Sequence, residues 1–113
     1  MRREPLRVVQ GERTVGESIG VKYDAEKPRL DLLPWNAVLA CGDVLAHGAK
    51  KYGPDNWPLV PDGRRRYIAA ALRHVIAYAR GEWADHESGL PHLAHAITSL
   101  MFVFELASKE GPK

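Results

Sequence analysis

The chain has 113 residues, of which 45% are hydrophobic and 27% charged, and its formal net charge is +2. That size suits one domain with a modest core and leaves no room for two. No apolar run approaches the roughly 18–20 residues of a membrane helix. The single cysteine, Cys41, excludes an internal disulfide or a cysteine-rich zinc module, and so small a net charge makes no demand for a long nucleic acid or an acidic membrane.

Residues 1–20 mix Arg, Glu and Gly with little apolar periodicity and are expected to form a flexible arm. They carry no positive-then-apolar segment of the signal-peptide kind, so the expected location is the cytoplasm. Residues 21–109 are expected to form a single all-α domain, with 110–113 as a tail. "VKYDAEKPRLDLLP" should be extended, because Pro28 and Pro34 oppose helix through most of it. Leu30, Leu32 and Leu33 would then clamp this segment onto the core.

The first helix is predicted from near Pro34 to about Lys51, with Val38, Cys41, Leu45 and Ala49 on its apolar face. "KYGPDNWPLVPDG" breaks it and carries Tyr52, Asn56 and Trp57 on a loop long enough to suggest function. A second helix spans about Arg64 to Arg80, with Asp62 placed to cap it and Ile68, Leu72, Val75 and Ala79 as its buried stripe. Gly81 marks its end, although Glu82 to Asp85 would also fit one more turn. The third helix runs from near Pro91 to about Lys109, with Leu93, Ile97, Leu100, Phe104 and Ala107 on its apolar side. Three amphipathic helices make a thin core, so a second protomer is expected to complete a four-helix bundle, as a homo-oligomer of two or more chains.

The densest chemistry lies in "GEWADHESGLPHLAHA", residues 81–96, where Glu82, Asp85 and Glu87 accompany His86, His92 and His95. His92 and His95 stand about 60° apart on one helix face, close enough to share a metal or a phosphate. Glu82 and Asp85 have the same spacing and, on a helical turn, would present hard oxygen ligands suited to Mg²⁺ or Mn²⁺. The plainer alternative is a polar corner whose acids favour the start of the next helix. His74 lies on the second helix on a face shared with Tyr67, Ala70 and Tyr78, and Arg73 beside it is within reach of a phosphate. The short connection after Gly81 would bring His74 and Glu82 opposite His92 and His95. Arg64, Arg65 and Arg66 form a basic run, and Lys50 and Lys51 a pair, suited to a few phosphates. No P-loop, G-x-G-x-x-G or serine elbow is present.

"GVKYDAEKPRLDLLPWNAV", "VLAHGAKKYGPDNW" and "ALRHVIAYARGEWADHESGLPHLAHA" together resemble the dATP/dGTP diphosphohydrolase N-terminal family over about residues 20–107. The resemblance implies an all-α, MazG-related, oligomeric helical bundle that handles a purine nucleotide with a divalent metal. MazG-type enzymes hold Mg²⁺ with E-E-x-x-E on one helix and E-x-x-D on the next. This chain has no E-E-x-x-E and carries Arg73 and His74 near that place. His92-Leu-Ala-His95 stands where E-x-x-D would open the last helix, and Glu82-Trp-Ala-Asp85 matches that pattern only at the corner.

Two alternative functions are therefore open, the first being the leading expectation. The first is a metal-dependent phosphohydrolase that releases pyrophosphate from purine (deoxy)nucleoside triphosphates. Glu82, Asp85, Glu87, His92 and His95 would hold Mg²⁺ or Mn²⁺, and His74 or Glu82 would act as base. Lys50, Lys51, Arg66 and Arg73 would grip phosphates, Asn56 would line the nucleotide site, and Tyr52, Trp57 or Trp83 would stack on the base. The second is a non-catalytic protein that sequesters a signalling nucleotide, such as a phage anti-defence sponge.

Overall fold

Proline and glycine set the helix boundaries, as their backbone chemistry requires. The computed structural model of the chain describes residues 19–111. Almost all of the expected N-terminal arm, and residues 112 and 113 of the expected tail, lie outside the described residues. Up to Leu30 the described chain is a unit of its own without an α-helix, turned once where the Lys27 N–H donates to the Asp24 carbonyl at 3.1 Å.

From Asp31 onward the second unit is all-α. It contains α1 (Trp35–Tyr52), α2 (Gly63–Ala79) and α3 (His92–Glu110), with a short 3-10 turn at Trp57–Leu59. Another short 3-10 turn, Leu30–Leu32, leads into it where extended chain was expected. Among the described residues there is no strand, only one isolated antiparallel bridge between Ala84 and Pro91. No described helix is long and apolar enough to cross a membrane.

Pro34 is the residue before α1, and its carbonyl accepts the Val38 N–H at 3.1 Å. Gly53, at φ +97°, ends α1 by donating its N–H to Ala49 at 2.8 Å. Asp62 precedes α2 as expected, but with left-handed backbone at φ 55° and no side-chain cap. A side-chain cap normally needs extended backbone at this position. Gly81, at φ +98°, stops α2 where the further turn was the alternative. Its N–H bonds Tyr78 and the Glu82 N–H bonds Ala77, the paired bonds of a Schellman end. Residues 82–85 therefore leave the helix.

α3 is the central element. α2 packs along it, α1 packs on another side of it, and among the described residues α1 and α2 do not pack on each other. Small residues permit the α1 contact: Ala94 and Thr98 are buried, and the Cys41 thiol sits 3.9 Å from the Ala94 carbonyl. Cys41 is buried on the apolar side of α1 along with Val44.

The apolar stripes lie elsewhere than periodicity alone predicts. On α2, Ile68, Leu72 and Val75 are 42%, 55% and 41% exposed, while Ala71 and the half-buried Tyr67, Ala70 and His74 meet α3. On α3, Ile97, Leu100 and Phe104 are likewise exposed. On α1, Leu45 and Val38 are exposed, as are Leu32 and Leu33 before it. The stripes of α2 and α3 lie roughly a third of a turn from the seam between them, and no element among the described residues covers them.

Candidate functional site

α1 and α2 flank α3 without meeting, and the space between them is a cleft of about 980 Å³, floored by α3. Its size falls at the top of the roughly 300–1,000 Å³ range of small-molecule sites. Of the residues expected to bind nucleotide, Lys51, Tyr52, Asn56, Trp57, Arg66 and Arg73 line it. His74, Asp85, Glu87 and His95 line it too. Lys50, Glu82, Trp83 and His92 are not among the lining residues. His92 is buried, whereas Trp83 is 63% exposed and packs edge-on against Tyr78.

An aromatic cluster forms one part of the cleft wall. Trp57 stacks on Phe102 with ring centroids 4.4 Å apart, and Tyr67 meets Phe102 edge-on at 5.1 Å. The Tyr67 hydroxyl donates to the Trp57 carbonyl at 3.0 Å, which ties the loop to α2. One face of Trp57 is thus taken by Phe102. Tyr52 is 61% exposed, with the Lys51 ammonium 5.1 Å from its ring centre. The Arg66 guanidinium donates to the Pro61 carbonyl at 3.3 Å.

The histidines gather where the start of α3 meets α2. His74 Nδ1 and His92 Nδ1 are 2.9 Å apart, and His74 and His95 stack at 4.5 Å with a 12° tilt. Ligand atoms of His74, Asp85 and His92 all lie within 4.8 Å of one another, a spacing that can hold a metal ion. Glu82 stands at the edge, with Oε1 3.4 Å from His92 Nε2. Glu87 instead pairs with Lys51, an ion pair that links the connector to the end of α1. His86 is exposed.

The connector holds this arrangement through its own backbone. The Asp85 N–H bonds the Leu90 carbonyl and the His92 N–H bonds Trp83, both at 2.8 Å. The Asp85 carboxylate accepts the Ser88 N–H, three residues on, at 2.9 Å, a local side-chain-to-backbone bond that shapes the connector. The Ser88 hydroxyl lies 2.7 Å from His95 Nε2 and accepts the Leu90 N–H at 3.1 Å. Ser88 therefore orients both Asp85 and His95.

Burial lowers the basicity of His74, and the neighbouring His95 adds to that effect. Burial does the same to His95, against the pull of Asp85. Burial pushes Asp85 up, but the Ser88 bonds and the facing imidazoles outweigh it, so its carboxyl lies below the usual range. The bond to Lys51 lowers Glu87, and the same bond raises Lys51. Near neutrality the site thus holds a carboxylate beside uncharged His74 and His95, the states a metal ligand needs.

Two contributors were not legible as site residues. His47 lines the cleft, and its place four residues before Lys51 on one helix face was the available signal. Ser88 was legible only through the Asp85-x-x-Ser88 turn pattern, which does not reveal the contact with His95.

Residues 17–112 match the family described as "dATP/dGTP diphosphohydrolase, N-terminal". The chain is 38% identical over 87 residues to a "dATP/dGTP diphosphohydrolase" of Salmonella phage PMBT28, covering 77% of this chain and 29% of that protein. It therefore spans less than a third of that relative's length. No solved structure matches the chain.

Proposed function

The chain belongs to the dATP/dGTP diphosphohydrolase N-terminal family, and from that premise we propose that it is a metal-dependent phosphohydrolase of purine (deoxy)nucleoside triphosphates, releasing pyrophosphate. The observation that carries this reading is the single cleft that combines the His74–Asp85–His95 group with Lys51, Arg66, Arg73 and an aromatic wall. The activity for which the phage relative is named supports the choice of substrate.

Arg73 and Arg66 would bind the phosphates, and Lys51 would join them once an incoming phosphate displaces Glu87. Tyr52, and the face of Trp57 turned away from Phe102, would hold the base, with Asn56 beside them offering hydrogen bonds to its edge. His74, Asp85 and His92 would hold a divalent cation, Mg²⁺ or Mn²⁺ on the sequence expectation, with Glu82, Glu87 and His95 around it. Such an ion supplies Lewis acidity toward phosphate oxygens and makes water a better nucleophile at neutral pH. His95, kept uncharged by burial and oriented by Ser88, would take the proton of the attacking water, while Glu82, the other expected base, lies beside His92 and off the cleft lining.

The exposed stripes of α2 and α3 would pack against a second copy of the chain in a homo-oligomer, since exposed apolar faces of this kind mark association surfaces. The working location would be the cytoplasm.

The test is incubation of the purified chain with dATP or dGTP and Mg²⁺ or Mn²⁺, followed for pyrophosphate. Release is the expected result. Nucleotide bound tightly in EDTA but recovered intact would replace this reading with sequestration.

A further inference from the structure

His92 is the most constrained group in the site. It is 5% exposed, and its Nε2 is buried without a hydrogen-bond partner, with Glu82 Oε1 3.4 Å away. Its other nitrogen, Nδ1, points at His74 Nδ1, 2.9 Å away. Two nitrogens so placed either share one proton or direct two lone pairs at one ion. Ligands at about 2.1 Å from a tetrahedral Zn²⁺ lie roughly 3.4 Å apart, so the two nitrogens, 2.9 Å apart, need part by only about half an ångström to act as adjacent ligands of one ion.

We propose that His74, Asp85 and His92 form a nitrogen-rich site that takes an imidazole-preferring transition-metal ion, of which Zn²⁺ is the type, in preference to Mg²⁺. Mg²⁺ demands a shell of oxygen ligands, and this group offers one carboxylate beside two imidazoles. Two histidines and one carboxylate are instead a donor set of catalytic zinc sites and of non-haem iron, which leave positions open for substrate. His74 and Asp85 line the cleft while His92 stands behind them, so the open side faces the nucleotide pocket. Asp85 has two oxygens and can ligate while keeping its bond from the Ser88 N–H.

The same assignment accounts for the buried Nε2. With Nδ1 on the ion, Nε2 carries the proton and is directed at Glu82, the carboxylate–histidine–metal arrangement that fixes a ligand ring. Glu82 is then a positioning residue rather than a ligand. The site shares its residues with the proposed hydrolase, but ion binding needs no nucleotide, so the two can fail separately.

The chain, stripped with EDTA and dialysed, is titrated with Zn²⁺, Co²⁺ and Mg²⁺ by calorimetry, and with Co²⁺ by visible absorption. One Zn²⁺ per chain is expected, at least 100-fold tighter than Mg²⁺, and Co²⁺ should give ligand-field bands that excess Mg²⁺ leaves intact. Asp85→Asn and His74→Gln should each abolish those bands. Glu82→Gln should weaken Co²⁺ binding by about 10–100-fold, and His86→Gln, on the exposed part of the connector, should change nothing. Circular dichroism in EDTA checks that each variant is helical, and Asp85→Asn decides the matter if His74→Gln unfolds. Equal affinity for Mg²⁺, no stoichiometric ion, or equal loss in His86→Gln overturns the proposal. A bound Zn²⁺ without pyrophosphate release overturns only the hydrolase.

Discussion

Along the seam where α2 meets α3, Phe102 and Leu106 pack at one end, but the rest is alanine, histidine and tyrosine, while the neighbouring faces of the same two helices carry Ile68, Leu72, Val75, Ile97, Leu100 and Phe104. An isolated helical pair would be expected to reverse that distribution, because burying a leucine contributes about 1.5–3 kcal/mol and burying an imidazole contributes little unless it is paired. The seam is thus organised for its polar contacts, and the outer faces hold the apolar area from which an assembly would draw its stability. On the proposed reading, chemistry and cohesion would lie on different sides of the same helices.

The largest expected effect breaks the seam. Asp85→Asn should lower pyrophosphate release by more than the roughly 10–100-fold typical of outer-shell changes, with helicity by circular dichroism unchanged. Release at the native rate would separate the histidine cluster from catalysis. Next comes the outer face. Leu72→Asp with Leu100→Asp should convert the oligomer to monomer in sedimentation velocity, at about 1.5–3 kcal/mol per leucine. A native chain that sediments as a monomer would remove the assembly from the proposal.

Gly81→Ala tests the hinge between the two regions. A Cβ at φ +98° should cost about 1–2 kcal/mol in urea denaturation, and it should also weaken metal binding, because the connector that follows carries Asp85. An unchanged midpoint would mean the backbone relaxes there.

The pH dependence sharpens the comparison from the polar side. His74 and His95 are both held below their ordinary value of 6.5, chiefly by burial. As pH falls through 6.5 the unfolded chain takes up protons first. The stability linked to these groups is fully present above that value and is lost as pH falls through the lower folded values. Denaturation in EDTA should therefore show a midpoint that drops between neutral pH and pH 5, and His95→Gln should flatten the fall. The smallest effect is expected at the cleft mouth. Glu87→Gln frees Lys51 from its ion pair and should lower the KM for a triphosphate by a few-fold without moving the melting temperature. A raised KM would instead assign Glu87 to substrate or metal.

Helix number, type and ends were legible in the sequence, because they depend on local chemistry. Pro34, Gly53 and Gly81 act through their own backbone preferences, and the three helices begin and end within a residue or two of the expected places. The histidine and carboxylate density of residues 81–96 was equally plain. The side each helix buries was not legible, because a period of 3.6 identifies an apolar stripe without saying whether its partner is the same chain or another. Tertiary structure alone decided that Ala71 and His74 meet α3 while Leu72 stays exposed, since only the packed arrangement shows that α3 offers small residues to α1 and imidazoles to α2. It also decided how the acids divide. Once the Schellman end at Gly81 takes residues 82–85 out of the helix, the three-residue spacing of Glu82 and Asp85 no longer puts them on one face. Asp85 joins His74 and His92, Glu82 stands behind His92, and Glu87 pairs with Lys51, thirty-six positions away in sequence.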